Sequence, residues 1–437
     1  MKILWLKSEL LHPVDKGGKI RTYQMLKHLK RDHEVTYLAL AGPADAPESF
    51  ERATEYCHKL VTVDWRERRK FSARFYIDLG LNLASSLPYA LEKYRSAAMR
   101  RATERELDQN RYDVVVCDFL APSVNFDPGG GVASVLFQHN VESMIWRRHY
   151  ETEANGLKKT FFRNQWRKML AYERAACRRF DAVIAVSEVD RDLMRDEFGV
   201  SAVYDVPTGV DTDYFSPSGK AGREPHGLVF TGSMDWLPNE DAIRYFSEQV
   251  LPRVKRSVPD VKLTVVGRNP HASLVEMSKR DPSVVVTGRV EDVRPYMERA
   301  AAYVVPLRIG GGTRLKIYEA MAMGKAVIST TVGAEGLPVR DGQELLLADT
   351  PEAFADSVVR VLSDEKIARA LGANAAELVR GRFGWDKASE SFAAICRQAC
   401  LSASKARADM GGSGAARWAA APSEWSPSHG AEGSDAE

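Results

Sequence analysis

Residues 306–329 read PLRIGGGTRLKIYEAMAMGKAVIS and form the most informative segment of the chain. An apolar run ends at three consecutive glycines, a helical pattern begins near Thr313, and a second apolar run starts at Lys325. This order predicts a strand, a glycine-rich loop, a helix and a second strand. Because glycines carry no Cβ atom, an anion can approach the backbone N–H groups at the helix start, where the helix dipole also favours negative charge.

Charged residues follow this loop on the same predicted helix. Arg314 and Lys316 place two cations in its first turn, and Glu319 lies about 7 Å beyond Arg314 at about 1.5 Å per residue. This spacing suits a ligand with a diphosphate at the helix start and a ribose diol beside the carboxylate, as in a nucleotide sugar. The N–H groups expected to meet the diphosphate belong to Gly311, Gly312 and Thr313. Alternatively, Lys316 and Glu319 form only a surface pair at i, i+3.

Composition bounds the class of protein. The chain has 437 residues, which predicts two domains. Its 61 Lys and Arg residues nearly balance 59 Asp and Glu residues, so nothing points to nucleic acid as a partner. The 5 cysteines lack metal-ligand spacing, so we expect a reduced, cytoplasmic protein without a bound metal. An N-terminal apolar run broken by Lys7 and Glu9 predicts neither a signal peptide nor a membrane anchor.

Short apolar runs alternate with longer helical patterns along the chain, which predicts an α/β fold with two doubly wound, Rossmann-like parallel-sheet domains facing a cleft. We expect a first domain over residues 1–205, a linker over 206–224 and a second domain over 225–385. A helix over 386–402 is expected to pack back on the first domain, and 403–437 are predicted to be disordered. Strands are predicted over residues 3–6, 35–40, 60–63, 113–117, 133–137, 182–186, 228–230, 262–266, 284–286, 303–307, 326–329 and 344–347.

Two segments of the first half are basic and aromatic. Residues 144–179 interleave aromatic side chains with many Lys and Arg, and residues 65–74 form a second such patch before the amphipathic stretch 76–91. Helices that lie on an anionic membrane have this composition. A solvated basic helix with inward-packed aromatic residues explains the same pattern, and both interpretations stay open.

Several segments, in order, resemble glycosyltransferase family 4, whose members have the GT-B fold of two Rossmann-like domains. The resemblance extends from Met1 to about Leu401. Within the family, the chain resembles the bacterial sugar transferases linked to exopolysaccharide and exosortase systems. The matching segments are residues 12–23, 138–142, 185–188, 207–215, 230–242, 288–293 and 310–319.

The resemblance implies a glycosyltransferase that moves a sugar from a nucleoside-diphosphate sugar to a glycan or lipid-linked acceptor in cell-surface polysaccharide synthesis. It implies retention of configuration, no metal and no cofactor, because the nucleotide sugar is a substrate. The expected catalytic residues are His139, Arg314 and Lys316. The expected donor contacts are Gly232, Arg268, Arg289, Gly311, Gly312, Thr313 and Glu319. The expected acceptor-side loop contains Gly17, Gly18 and Lys19.

The chain also departs from the family pattern. The first glutamate of the usual pair would fall at Gly311, and residues 231–240 lack the usual cations after the first strand of the donor domain. A nucleotide-sugar epimerase on a GT-B-like fold is a second hypothesis. A nicotinamide-dependent dehydrogenase fits less well, since the glycines at 17 and 18 follow a long loop. A relic that only binds its ligand is a further alternative. The basic segments suggest peripheral attachment to the inner face of the cytoplasmic membrane.

Overall fold

A computed structural model describes residues 1–14, 17–66, 72–129, 131–153, 155–309 and 315–409. Two parallel sheets organise these residues, with seven strands in the first and six in the second. This confirms the predicted α/β fold class. A helix continues to Asp409, so the predicted disorder is wrong for residues 403–409. Residues 410–437 and the glycine-rich loop at 310–314 lie outside the described residues.

The first sheet has the strand order β3-β2-β1-β4-β5-β6-β7. Its strands are β1 (Lys2–Lys7), β2 (Glu34–Ala41), β3 (Lys59–Asp64), β4 (Val114–Asp118), β5 (Ala133–Phe137), β6 (Ala182–Ala185) and β7 (Val203–Asp205). β1 pairs in parallel with both β2 and β4, so the strand order reverses beside β1. Ligands bind outside the carboxyl ends of the strands at such a reversal point.

Helices cover both faces of the first sheet, which explains why its strands are continuous apolar runs. They are α1 (Gly17–Asp32), α2 (Pro47–Glu51), α3 (Ala73–Asn82), α4 (Tyr89–Glu92), α5 (Ala97–Gln109), α6 (Glu142–Thr152), α7 (Gly156–Arg179) and α8 (Glu188–Asp196). Side-chain oxygens cap several N-termini, as where Ser96 accepts a hydrogen bond from the Met99 N–H and Asn155 from the Lys158 N–H.

The second sheet has the order β10-β9-β8-β11-β12-β13. Its strands are β8 (Glu224–Thr231), β9 (Lys262–Val266), β10 (Val284–Gly288), β11 (Ala300–Val305), β12 (Ala326–Ser329) and β13 (Leu346–Leu347). Its helices are α9 (Leu237–Tyr245), α10 (Leu251–Ser257), α11 (Ala272–Arg280), α12 (Arg294–Arg299), α13 (Leu315–Ala322), α14 (Pro351–Ser363) and α15 (Glu365–Arg382). β8 pairs with β9 and β11, so the strand order reverses beside β8.

The last described helix, α16 (Trp385–Asp409), returns to the first sheet. The ring of Phe392 lies 5.4 Å from that of Trp5 and 5.1 Å from that of Phe137. Where the chain crosses between the sheets, a Cβ atom at Gly209 would lie 2.6 Å from Trp385 Cδ2, so only glycine fits there. The aromatic contacts therefore bury α16 in the core of the first sheet.

Each predicted strand has a counterpart in the two sheets. The predicted bounds of β5, β9 and β12 are correct, and the ends of the other strands shift. Sequence reasoning missed β7, a three-residue edge strand in which Val203 is the buried residue. It also placed β11 over 303–307 rather than Ala300–Val305, because Pro306 and Leu307 continue the apolar run beyond the last paired residue.

Candidate functional site

A cation from α13 lies at the carboxyl end of β8. Lys316 Nζ donates a hydrogen bond of 2.8 Å to Asn239 Oδ1 and lies 4.2 Å from the centre of the Phe230 ring. A Cβ atom at Gly232 would lie 2.7 Å from this ammonium, so glycine is needed for the close approach. Lys316 thereby supplies positive charge where residues 231–240 contain none.

Glu319 follows Lys316 by three residues on α13 and is half-buried. Burial raises the pKa of its carboxyl to about 7, although the Lys316 ammonium partly opposes the rise. The carboxyl also interacts electrostatically with Tyr303 on β11, whose hydroxyl lies 2.6 Å from Thr231 Oγ1. A carboxyl and an ammonium therefore flank the carboxyl ends of β8 and β11, and the charge of this pair changes near neutral pH.

The loops after β8 and β9 are held together by polar contacts. Arg268 Nε donates to Ser233 Oγ at 2.9 Å, and Asn269 Nδ2 donates to Asp235 Oδ2 at 3.0 Å. The backbones approach so closely that a Cβ atom at Gly267 would lie 1.7 Å from the Gly232 carbonyl oxygen. The structure thus places Arg268 against the loop that begins at Gly232.

The remaining donor-side predictions have different outcomes. Arg289 is exposed and directly follows the end of β10. Gly311, Gly312, Thr313 and Arg314 lie outside the described residues, so their expected roles stay predictions.

Sequence reasoning missed an anchor for the glycine-rich loop. Two residues before the loop, Arg308 forms a two-pronged ion pair with Asp241 on α9, with Nε–Oδ2 at 3.0 Å and Nη2–Oδ1 at 2.6 Å. The guanidinium lowers the pKa of the Asp241 carboxyl, although burial opposes the change. This pair fixes the chain entering the loop to the same helix that carries Asn239.

In the first domain, His139 follows β5 and is 2% exposed. Its Nε2 lies 2.7 Å from Asp118 Oδ1, and its Nδ1 lies 3.0 Å from Arg21 Nη1. The Phe119 ring stacks on the imidazole with the centres 3.8 Å apart. Phe119 itself has a φ of 72°, a left-handed conformation that is costly outside glycine.

The charge states within this buried cluster follow from its contacts. Three donors converge on Asp118 Oδ2: Lys7 Nζ at 2.9 Å, Thr22 Oγ1 at 2.6 Å and Trp5 Nε1 at 3.0 Å. Burial by itself would raise the pKa of Asp118, but Lys7 and His139 hold it well below its ordinary value. Burial lowers the pKa of His139 to about 3, so its imidazole is neutral.

Because a guanidinium can only donate, His139 Nδ1 accepts and the proton lies on Nε2, facing Asp118. Nδ1 is therefore engaged by Arg21, whereas the 2.7 Å contact of Nε2 with Asp118 Oδ1 lacks hydrogen-bond geometry. The catalytic role of His139 stays a prediction, and the imidazole is held in one tautomer beneath Phe119. Arg21, Lys7 and Asp118 were missed, although a charged residue that ends an apolar strand, as Lys7 and Asp118 do, is a usable signal.

The predicted acceptor-side loop lies next to this cluster. α1 begins at Gly17, and a Cβ atom at Gly18 would lie 2.8 Å from Phe119 Cζ. Lys19 is buried, with its Nζ 3.6 Å from Glu9 Oε2. The structure therefore joins Gly18 to the His139 cluster through Phe119, whereas the Lys19 ammonium faces Glu9.

The basic helices within residues 144–179 and the amphipathic stretch 76–91 differ in what they expose, and residues 67–71 of the basic patch at 65–74 lie outside the described residues. In the pair formed by α6 and α7, the Tyr150 and Trp166 rings stack with centres 5.7 Å apart, and Trp146 lies 6.2 Å from Phe162. Apolar exposure is greater on and just after α3. The exposed fractions are 56% for Tyr76, 61% for Ile77, 70% for Leu81 and 56% for Leu83. Among the described helices, none combines the length and apolar character needed to cross a bilayer.

Comparison with protein families places both halves of the chain. Residues 16–214 match the family described as Glycosyltransferase Family 4, and residues 225–364 match the one described as Glycosyl transferases group 1. The first match covers every strand of the first sheet except β1, and the second covers the second sheet from the second residue of β8 onwards.

Individual relatives have low sequence identity to this chain, but the matches extend over more than half of it. An uncharacterized 44.6 kDa protein in the cps region of Klebsiella pneumoniae is 20% identical over 405 residues, covering 90% of this chain and 98% of that protein. A phosphatidyl-myo-inositol mannosyltransferase of Mycobacterium tuberculosis is 27% identical over 271 residues, covering 59% of this chain and 68% of that protein.

Solved structures confirm the arrangement of two parallel-sheet domains. A sucrose-phosphate synthase from Thermosynechococcus elongatus superposes with a TM-score of 0.65 at 18% identity, covering 91% of this chain and 98% of that one. HepE from Anabaena, in complex with UDP, gives a TM-score of 0.64 at 14% identity, covering 91% and 100%. At these identities the likeness establishes the GT-B fold and not the substrate.

Proposed function

Because the chain is a glycosyltransferase of family 4 with the GT-B fold, we propose that it transfers a sugar from a nucleoside-diphosphate sugar to a hydroxyl of a glycan or lipid-linked acceptor. The observation that carries this proposal is the Lys316–Glu319 pair at the carboxyl ends of β8 and β11. An ammonium suits a diphosphate and a carboxylate suits a ribose diol. Both matched families are glycosyltransferase families and several relatives are named as mannosyltransferases, so the epimerase alternative is not favoured.

The proposed reaction exchanges one bond at the anomeric carbon of the sugar. The bond between that carbon and the diphosphate oxygen breaks, a bond to the acceptor oxygen forms, and the acceptor hydroxyl passes its proton to the departing diphosphate. Negative charge grows on the departing nucleoside diphosphate, and Lys316, with the predicted Arg314 and the N–H groups at the helix start, stabilises it. Glu319 accepts hydrogen bonds from the ribose hydroxyls. In this mechanism cations of the protein, and not a bound metal ion, stabilise the leaving diphosphate.

Retention of configuration and a role in cell-surface polysaccharide synthesis also belong to the proposal. Retention is supported by resemblance to the family, and the pathway by the Klebsiella pneumoniae relative from a cps region. The donor class is supported by HepE, which was solved with UDP and with UDP-glucose, and by relatives named as mannosyltransferases. UDP-linked and GDP-linked hexoses are thus the first donors to examine.

We place the protein in the cytoplasm, attached to the inner face of an anionic membrane where it meets a lipid-linked acceptor. Tyr76, Ile77 and Leu81 lie on one side of α3 and are largely exposed. Arg74 on the same helix and Lys158 at the start of α7 are exposed cations. Apolar side chains that enter the interface, together with basic residues near anionic lipid, suffice for reversible binding.

A panel of nucleotide sugars tests the donor assignment. The full chain is mixed separately with UDP-glucose, UDP-N-acetylglucosamine, GDP-mannose and a nicotinamide dinucleotide, and thermal unfolding is recorded. The proposal predicts stabilisation by one or more nucleotide sugars and none by the dinucleotide. Stabilisation by the dinucleotide alone would contradict the donor assignment.

A further inference from the structure

Arg21, on the second turn of α1, connects three parts of the chain. Its side chain is buried, at 8% exposure, and its Nε donates to Thr208 Oγ1 at 2.7 Å in the segment between the two sheets. Its Nη1 donates to His139 Nδ1 at 3.0 Å, after the end of β5. The guanidinium is therefore fixed in orientation by two neutral acceptors.

The charge of Arg21 is not neutralised at close range. Lys7 and Asp118 form an ion pair at 2.9 Å, and His139 is neutral, so the buried cluster keeps a net positive charge on Arg21. Among the described residues, no carboxylate oxygen lies within 4.0 Å of this guanidinium. Burial lowers the pKa of Arg21 to about 10, opposed by the more distant Asp118 and Asp190. A buried cation without a paired anion is costly, so the site favours an anion.

One edge of the guanidinium remains open. Arginine carries five N–H donors in a rigid fork, and Nε and Nη1 are engaged as described. Nη2 makes no hydrogen bond to the described residues and is not among their enclosed, unpaired polar atoms. It thus belongs to the small accessible part of the side chain, one turn beyond the Gly17–Gly18 start of α1.

We infer that Arg21 binds a phosphate oxygen of the donor's diphosphate from the side of the first domain, with Thr208 and His139 as the residues that position it. This inference rests on the proposed function, since the anion is the diphosphate of the nucleotide sugar. It gives His139 a role through Nδ1, the ring nitrogen that Arg21 contacts. The imidazole acts as the neutral acceptor that aims the guanidinium, and Asp118 fixes the tautomer that makes Nδ1 an acceptor.

A purely structural role makes a different prediction. If Arg21 serves only to join α1 to the segment at Thr208, its replacement lowers thermal stability and weakens every ligand alike. If it binds phosphate, its replacement weakens ligands that carry the diphosphate and spares the nucleoside. Comparing a nucleoside diphosphate with its nucleoside therefore separates the two roles.

The experiment uses the full chain and four proteins: wild type, Arg21→Gln, Arg21→Lys and the control Arg31→Gln. Arg31 lies on the same helix, is exposed and pairs with Asp386. Calorimetry measures the affinity for UDP and GDP, and competition measures the affinity for uridine and guanosine. We expect Arg21→Gln to weaken the bound diphosphate about tenfold to a hundredfold, the range for a charge-assisted hydrogen bond. Nucleoside affinity should stay unchanged, and Arg31→Gln should match the wild type.

Arg21→Lys keeps the charge but not the fork, so diphosphate affinity should fall to an intermediate value. If Arg21→Gln does not fold, the comparison of Arg21→Lys with the wild type decides. Unchanged diphosphate affinity, or an equal loss for nucleoside and diphosphate, would overturn the inference while leaving the proposed function intact. A wild-type chain that binds neither UDP nor GDP would overturn both.

Discussion

The Lys316 ammonium donates a hydrogen bond of 2.8 Å to the side-chain oxygen of Asn239. This contact joins α13 to α9 and holds a cation over the end of β8, although residues 231–240 offer no Lys or Arg. The Lys316 ammonium thus reaches the end of β8 from a different part of the sequence. The first prediction concerns the contribution of Lys316 to the reaction.

Lys316→Met should lower kcat more than it weakens donor binding, because the partner charge grows on the leaving diphosphate in the transition state. We expect a fall in kcat of about tenfold to a thousandfold, in line with loss of one preorganised electrostatic contact. Steady-state kinetics with the preferred nucleotide sugar provides the measurement. Lys387→Met is the matched control, because Lys387 is an exposed lysine of α16 that pairs with Glu390. Equal rates for the two variants would refute this role.

Glu319→Ala should raise the donor KM and lower kcat/KM by about one to three powers of ten, since a charge-assisted hydrogen bond to ribose is lost. The raised pKa of about 7 adds a pH dependence. Donor affinity should increase as pH rises through about 7 and the carboxyl ionises, whereas Glu319→Gln should show a flat profile over that range. Calorimetry between pH 6 and pH 8, at about one unit on each side of this pKa, provides the test. A wild-type profile as flat as that of Glu319→Gln would mean that the carboxyl does not bind the donor.

Glu173 on α7 should make stability depend on pH. Its buried carboxylate accepts hydrogen bonds from the Glu142 and Ser143 N–H groups at the start of α6, and from Gln138 Nε2. Burial raises its pKa to about 7, while these donors oppose the rise.

Because the folded-state pKa of Glu173 exceeds the unfolded one, its contribution to stability is complete below about pH 4.5 and is lost as pH rises to about 7. At about 1.4 kcal/mol per pKa unit, the loss approaches about 3 kcal/mol. Urea unfolding at several pH values should show this fall in the free energy of unfolding. Glu173→Gln should be less stable at low pH and should have a shallower pH slope. An unchanged slope in the variant would show that another group titrates.

Glycosyl transfer should survive an excess of chelator, because protein cations stabilise the leaving group in the proposed mechanism. The measurement is release of nucleoside diphosphate with and without EDTA after dialysis against chelator. Loss of activity that Mg²⁺ or Mn²⁺ restores would overturn the leaving-group assignment.

Binding to vesicles should depend on the exposed side of α3. The full chain should sediment with anionic vesicles, more weakly with neutral ones, and less as salt rises. The double variant Ile77→Glu/Leu81→Glu should reduce anionic-vesicle binding about tenfold or more, because it replaces apolar contacts and adds repulsion. Leu401→Glu changes a residue of α16 that is 73% exposed and should bind as the wild type does. Equal binding by all three proteins would remove α3 from the attachment surface.

The fold was largely predictable because buried parallel strands are continuous apolar runs with few alternative assignments. β7 escaped because it has three residues and lies at the sheet edge, where little of it is buried. Boundaries shifted where apolar residues continue past the last ladder pair, as at Pro306 and Leu307. Strand pairing rather than hydrophobicity ends β11.

Prediction of the site was uneven for a physical reason. Lys316 and Glu319 lie one helical turn apart, so local periodicity was enough to place them together. Pairs such as Lys7–Asp118 and Arg308–Asp241, separated by 111 and 67 residues, form only when the sheets assemble. The sequence showed that the polar residue His139 follows the end of β5. Sequence reasoning could not foresee that Arg21 would donate a hydrogen bond to Nδ1 and that Asp118 would lie 2.7 Å from Nε2.

A mass balance of the reaction tests the proposed transfer of a sugar to an acceptor directly. The full chain is incubated with its preferred nucleotide sugar and a membrane lipid extract from a bacterium that makes surface polysaccharide. Released nucleoside diphosphate and sugar-bearing lipid are then quantified by mass spectrometry. The proposed glycosyl transfer predicts equal amounts of the two products, and the transferred sugar should keep the anomeric configuration of the donor. Conversion of the nucleotide sugar into an isomer, with no transferred sugar, would contradict it.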